Sequence, residues 1–267
     1  MSIPIKFLMT FAFLFVAVFL PPKAISGTPG IGIVVMHGKG GLPSKHVTKL
    51  ASTLEENGYL VANLEMPWSS NRDYDVSVSV AAQEVEAALS ALRDKGAKKV
   101  FVAGHSQGGV FSIYFGGQHI VDGIIAIAPG GSVASSLFRE KLGDQVDEAR
   151  KLVAEGKGDE KTRLYDFEGA KGKYPVVTTP AAYLTWFDPD GAMNLQRSIR
   201  AMRSQTPILW IVAARDYPKL GKSNIPMFET LPSNLATKFY EPQSDHLGAP
   251  SASIEEIVRW TTEVSAR

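Results

Sequence analysis

"KVFVAGHSQGG", Lys99 to Gly109, is the stretch on which the reading of this chain turns. Its front, "KKVFVAG" over 98–104, is short, apolar and β-branched, the composition of a buried strand. The continuation "SQGGVFSIYFGGQ" predicts a helix. Ser106 stands at the junction, between His105 and Gln107 and flanked by glycines. A strand that turns into a helix within so few residues is either a plain turn or a bend sharp enough to hold a hydroxyl forward. The remainder of the chain decides between the two.

Strand and helix patterns alternate on both sides of it. Upstream, "IGIVVMHG" (31–38) predicts a strand and "SKHVTKLASTLEENG" a helix, with Val47, Leu50, Ala51 and Leu54 on one face, Ser44 as its cap and Gly58 as its stop. "YLVANLEMP" (59–67) predicts the next strand, and 76–96 a helix built on Ala81, Val85, Leu89 and Leu92. Downstream, "DGIIAIAPGG" (122–131), "TPILWIVAARD" (206–216) and "ATKFYEP" (236–242) predict strands, and "ASIEEIVRWTTEV" a closing helix. Six strands, apolar on both faces and alternating with helices, imply a mostly parallel sheet covered on both sides, an α/β protein.

The alternation breaks between Gly131 and Ser204. A helix is expected from about Val133 to Glu155. "GKGDEKTRLYDFEGAKGKYP" is polar and glycine-rich, "VVTTPAAYLTWFDPDG" is aromatic, and both read as irregular before "AMNLQRSIRAMRS" resumes a helix. So long an excursion inside a compact domain is usually functional or disordered. Residues 131–204 are expected to form a small cap over the sheet's active edge, within a single domain spanning 27–267.

Composition narrows the chemistry. Over 267 residues the formal net charge is +1 and no long basic block occurs, which argues against a nucleic-acid partner. There is no cysteine, so thiol nucleophiles, disulfides and zinc–thiolate sites are excluded. The five histidines are scattered without metal-ligand spacing, so no metal is expected. "HGKGG" (37–41) follows a strand but lacks the G-x-G-x-x-G spacing of a dinucleotide site, and no cofactor is expected. At the front, "MSIPIK", the apolar run Phe7–Leu20, and "PPKAIS" with Ala24 and Ser26 before Gly27 have the layout of a secretory signal peptide. The run falls short of the about 20 residues of a membrane span. Residues 1–26 are therefore read as an export signal with no span left after cleavage, an uncleaved anchor being the alternative; the destination would be the periplasm or the outside of the cell.

Ligands of a parallel sheet sit beyond the carboxyl ends of its strands. Standing there are His37 to Gly41 after the first strand, Gly104 to Gly109 after the third, Arg215 and Asp216 after the fifth, and Asp245 and His246 after the sixth. A serine, a carboxylate and an imidazole thus occupy three different strand ends in the order Ser106, Asp216, His246. On these residues the chain resembles the α/β-hydrolases over most of 29–266. Gly104-His105-Ser106-Gln107-Gly108 fits their G-x-S-x-G nucleophile elbow, and the order serine, acid, histidine fits as well.

The resemblance implies Ser106 as nucleophile, His246 as general base and then acid, and Asp216 as the group that orients the imidazole. Asp188, Asp190 and Asp245 are competitors for the acid. The oxyanion donors it implies are the Gln107 N–H and one N–H from the His-Gly turn, Gly38 or Lys39. Tyr183, Trp186 and Phe187 either line an acyl pocket or pack the cap against the sheet. The Lys39 side chain is read as solvated, with attraction of an acidic substrate as the alternative; His105 is read as elbow filler and His37 as support for the oxyanion turn. The expected activity is an exported serine hydrolase acting on a small-molecule carboxylic ester. Amidase, thioesterase, lactonase, cofactor-free haloperoxidase and lyase activities on the same residues are alternatives, as is a non-catalytic exported binding protein. The leading antiparallel strands usual in that family are not apparent here.

Overall fold

A computed structural model describes residues 30–169 and 171–267. The signal-peptide expectation for 1–26 lies outside the described residues. In chain order the elements are β1 (Ile31–Met36), α1 (Thr48–Glu56), β2 (Leu60–Leu64), α2 (Val78–Asp94), β3 (Lys99–His105), α3 (Gln107–Gln118) and β4 (Gly123–Ile127). There follow α4 (Ser136–Ala154), β5 (Thr162–Glu168), β6 (Gly172–Thr178), α5 (Pro180–Phe187) and α6 (Leu195–Arg200). The chain closes with β7 (Ile208–Ile211), α7 (Pro218–Glu229), β8 (Lys238–Tyr240), α8 (Ala249–Ala252) and α9 (Ile254–Ser265).

Six strands form one sheet in the order β2-β1-β3-β4-β7-β8, and every pairing in it is parallel. The period of two in each strand divides the core into two layers. Ile31, Ile33 and Val35 of β1, with Phe101, Ile125 and Leu209, face α1 and α9. Val34 and Met36, with Val102, Ile124 and Trp210, face α2 and α3. Burial on both faces is why these strands read as continuous apolar runs. Ser77 caps α2 by accepting the N–H of Val80. Ser44 does not cap α1: that helix begins at Thr48, after Val47, with no side-chain cap. Among the described residues no helix is long and apolar enough to cross a membrane.

The excursion between β4 and β7 is more ordered than its composition implies. The segments expected to be irregular form an antiparallel hairpin, β5–β6, with Leu164 opposite Val176 and Asp166 opposite Tyr174. Thr179 then caps α5 by accepting the N–H of Ala182, and Pro180 occupies the first turn, where its missing N–H costs nothing. A strand pattern is present in β5, but its inward positions are Leu164 and Asp166. A charged residue pointing inward breaks the apolar alternation by which strands are recognised. The helix expected from 192 shortens to the six residues of α6, capped by Asn194.

Candidate active site

β3 delivers Ser106 to the carboxyl edge of the sheet with φ 54° and ψ −114°. A side-chain-bearing residue at such a φ stores about 1–3 kcal/mol and persists only where its surroundings fix it. Here the Ser106 N–H donates to the Ile127 carbonyl at 2.8 Å, and the Ser106 carbonyl accepts from the N–H of Gly130 at 3.2 Å. The neighbouring glycines follow from close approach. A Cβ on Gly104 would lie 2.0 Å from the Gly108 carbonyl oxygen, and one on Gly108 would lie 2.8 Å from the carbonyl oxygens of Met36 and His37. The first turn of α3 is therefore wedged against the ends of β3 and β1.

Beyond β7 and β8 the two chains continue side by side. The Ala214 N–H donates to Pro242 O and the Arg215 N–H to Ser244 O, each at 3.0 Å. That pairing brings Asp216 and His246 together: His246 Nδ1 donates to Asp216 Oδ1 at 2.8 Å, with both side chains nearly buried. Asp216 Oδ1 also accepts the Tyr217 N–H at 2.7 Å, which fixes the carboxylate. Because a carboxylate only accepts, Nδ1 carries the proton of this bond. The competing acids are engaged elsewhere. Asp188 pairs with Arg150 at 3.1 Å, Asp245 Oδ1 accepts the Gly248 N–H at 2.7 Å, and Asp190 lies in the same exposed turn as Asp188.

His105 does more than fill the elbow. Its Nε2 donates to the His246 carbonyl at 2.9 Å, and the two rings stand 4.9 Å apart. Burial, reinforced by the neighbouring His246, pushes its pKa down to about 3, so the ring is a neutral donor that ties the His246 loop to the elbow. Its partner is 141 residues away in sequence, so no local signal announces the contact. The Ser106 hydroxyl has no hydrogen-bond partner among the described residues, His246 included. Gly38 adjoins it, since a Cβ there would lie 3.2 Å from Ser106 Cβ and 3.1 Å from His105 Nδ1. The turn after β1 thus adjoins the Ser106 side chain, and His105 links the elbow to the His246 loop.

The turn after β1 is held by His37, as expected. The Met66 N–H donates to its Nε2 at 3.0 Å, so Nδ1 bears the proton and donates to the Gly38 carbonyl at 2.7 Å. Burial, the largest influence, lowers its pKa. Within the turn, the Gly40 N–H is spent on Trp68 O at 2.8 Å and the Gly41 N–H on Gly38 O at 3.1 Å. The N–H groups of Gly38, Lys39 and Gln107 have no hydrogen-bond partner among the described residues. These are main-chain donors that the fold leaves unused.

One side-chain expectation is corrected, and one pair of alternatives is decided. Lys39 is not solvated: its Nζ donates to Asp166 Oδ1 at 2.6 Å and to Phe167 O at 3.2 Å, and lies over the Phe138 ring. Tyr183, Trp186 and Phe187 do not line an open pocket. They are 0%, 1% and 2% exposed, their polar atoms donate to Tyr165 O and Val76 O, and they stack among Tyr74, Trp68 and Phe111. They are the packing that seats the excursion on the sheet. The apolar side chains left exposed near His246 are Tyr217, whose ring centroid is 4.8 Å from the imidazole, and Leu247. A concavity of about 520 Å³ lies at the opposite edge of the sheet, near Lys99, Asp122 and Arg267, remote from these groups.

The sheet order, the strand-to-helix elbow and the position of the insertion are those of the α/β-hydrolase fold. Solved structures of similar architecture bear this out. The Est1E protein of Butyrivibrio proteoclasticus, with ferulic acid bound, superposes with a TM-score of 0.61 at 14% identity, over 92% of this chain and 94% of that one. A monoacylglycerol lipase of Paleococcus ferrophilus gives 0.61 at 20% identity, over 89% and 96%. A thermostable carboxyl esterase of Bacillus coagulans gives 0.61 at 15%, over 88% and 90%. No protein-family model and no curated protein sequence matches the chain.

Proposed function

We propose that the protein is a serine hydrolase that cleaves a carboxylic ester of a small molecule through an acyl-enzyme on Ser106. Two observations support the reading: the 2.8 Å bond from His246 Nδ1 to Asp216 Oδ1, and a serine held at positive φ whose elbow is tied to the His246 loop by His105. In this reading His246 Nε2 takes the Ser106 proton as Oγ attacks the ester carbonyl, and returns it to the departing alcohol. Water then repeats the sequence on the acyl-enzyme. Asp216 stabilises the imidazolium formed in each half. The oxyanion rests on the Gln107 N–H and on that of Gly38 or Lys39, each donor being worth about 2.7–4 kcal/mol in the transition state. That the structural neighbours include a monoacylglycerol lipase and a carboxyl esterase favours an ester over the other acyl substrates.

A fluorophosphonate probe tests this. Purified protein should be labelled, and Ser106→Ala should lose both the label and turnover of short-chain p-nitrophenyl esters; labelling undiminished in Ser106→Ala rejects the assignment. We propose also that residues 1–26 direct export. The mature protein should then begin at Gly27, and an unprocessed amino terminus on protein recovered from cytoplasm would reject that part.

A further inference from the structure

Asp166 is the one carboxylate in the excursion that is wholly buried, and every oxygen lone pair it offers is used. Oδ1 accepts from Lys39 Nζ and from the Phe167 N–H, each at 2.6 Å. Oδ2 accepts from the hydroxyls of Tyr74 at 2.7 Å and Tyr174 at 2.8 Å. A carboxylate has about four such positions, so none is left over. Two of the four partners belong to the hairpin that carries Asp166. The other two, Lys39 and Tyr74, reach out of it, and Lys39 belongs to the turn whose Gly38 and Lys39 N–H groups are unpartnered.

Lys39 sits in the turn whose N–H groups at Gly38 and Lys39 are unpartnered. Its ammonium is held by two bonds from the hairpin, to Asp166 and to the Phe167 carbonyl, over the rings of Phe138 and Phe187. The hairpin tip closes on the same turn, because a Cβ on Gly40 would meet Lys171 Nζ at 3.0 Å. Tyr74 spends its hydroxyl proton on Asp166, and its oxygen stands 3.4 Å from Gln107 Oε1, a packing contact and not a hydrogen bond. Tyr74 is itself held at φ 59°, with its carbonyl accepting from Thr178 Oγ1 at 2.6 Å. A turn pinned at one end only by His37 and Trp68 is thus pinned at the other by the insertion, through Lys39.

We propose that Asp166 is a positioning residue that aims the 38–39 half of the oxyanion hole through Lys39. This rests on the serine-hydrolase reading. It gives the excursion a part in catalysis other than covering the site: hairpin seating and oxyanion geometry become one equilibrium. Deleting an oxyanion donor costs about 10²–10³ in kcat. Loosening the 38–39 turn without removing a donor should cost less.

The test compares Asp166→Asn with Asp144→Asn, which breaks the surface pair to Lys173 on the same hairpin at 2.8 Å without touching the turn. On a p-nitrophenyl ester, Asp166→Asn should lower kcat about 10- to 100-fold with KM within about twofold, and weaken binding of a trifluoromethyl ketone, which forms a tetrahedral adduct, by a similar factor. Asp144→Asn should leave all three near wild type. Should Asp166→Asn not fold, Lys39→Met severs the same link from the other side and should give the same kcat loss with KM unchanged. A folded variant of either kind with wild-type kcat overturns the proposal, as does a loss confined to KM or matched by Asp144→Asn. In each of those cases the wild type is still labelled at Ser106, so the serine-hydrolase reading stands; absence of labelling in the wild type would instead remove the reading on which this one rests.

Discussion

Gly104→Ala is the substitution for which the elbow predicts the most. The new methyl would lie 2.0 Å from the Gly108 carbonyl oxygen, 2.2 Å from its carbon and 2.5 Å from Ser112 Oγ. Something must give by about 1 Å, and interiors packed as densely as organic crystals have no such slack. The atoms in the way are main chain. They cannot retreat toward β1, because Gly108 already lies against the Met36 and His37 carbonyls, nor toward β4, because Ser106 is bonded to Ile127 and Gly130. Overpacking where neighbours yield costs about 1–3 kcal/mol. Against pinned backbone the cost belongs at the top of that range, and at about 2–4 °C per kcal/mol for a domain of this size Tm should fall by about 6–12 °C. The displacement passes to Ser106, and a 1 Å misplacement of a reacting group costs about 10²-fold in rate. Gly143→Ala in α4 is the control. It meets nothing within 4 Å, so the gain in helix propensity should raise stability by about 0.5–1 kcal/mol. Thermal melts followed by circular dichroism, with ester turnover on the same preparations, decide the matter. A Gly104→Ala protein that melts within about 2 °C of wild type and turns over normally would refute the wedge between α3 and β3, and with it the reason given for the elbow.

Other outcomes follow from the same geometry. Asp216→Asn keeps the packing but presents an amide where the imidazole needs an acceptor, so kcat should fall about 10³- to 10⁴-fold with Tm little changed; a loss under tenfold would reject Asp216 as the orienting acid. His105 binds a proton readily when unfolded, at about 6.5, but only near 3 when folded, so unfolding takes up a proton throughout that interval. Stability should thus be full above pH 6.5 and decline on acidification toward pH 3, with a slope approaching about 1.4 kcal/mol per pH unit for this group, and His37 shifts it in the same direction. His105→Gln should flatten the acid limb of a denaturation series, and an unchanged limb would contradict the buried neutral ring. Arg72 donates to both oxygens of Glu84 at 2.8 Å and to the Glu65 carbonyl at 2.9 Å. Arg72→Ala should therefore loosen the 69–75 loop that carries Tyr74, measured as faster amide exchange there.

Much of this molecule was legible because its physics is local. A strand buried on two faces must be apolar throughout, and a helix buried on one must repeat near 3.6, so β1, β3, β4, β7 and the helices α1, α2 and α9 follow from side-chain order alone, whereas α7, whose buried residue is Asn224, does not. The elbow was legible for the same reason: main-chain atoms approach so closely at Gly104 and Gly108 that no other residue fits. The hairpin was not legible, since Asp166 occupies an inward position that the pattern reserves for an apolar side chain, and its justification comes from Lys39 and Tyr74, which lie 127 and 92 residues away. Nor could the order of residues show that Tyr183, Trp186 and Phe187 are sealed in packing, or that His105 ties down the His246 loop. An aromatic residue has the same periodicity whether it lines a cleft or fills a core. Sequence fixes which groups arrive at the carboxyl edge of the sheet, because strand ends are set by short-range pattern. Only the tertiary structure decides which of them touch, because hydrogen bonds and burial depend on neighbours that the chain brings together from a hundred residues apart.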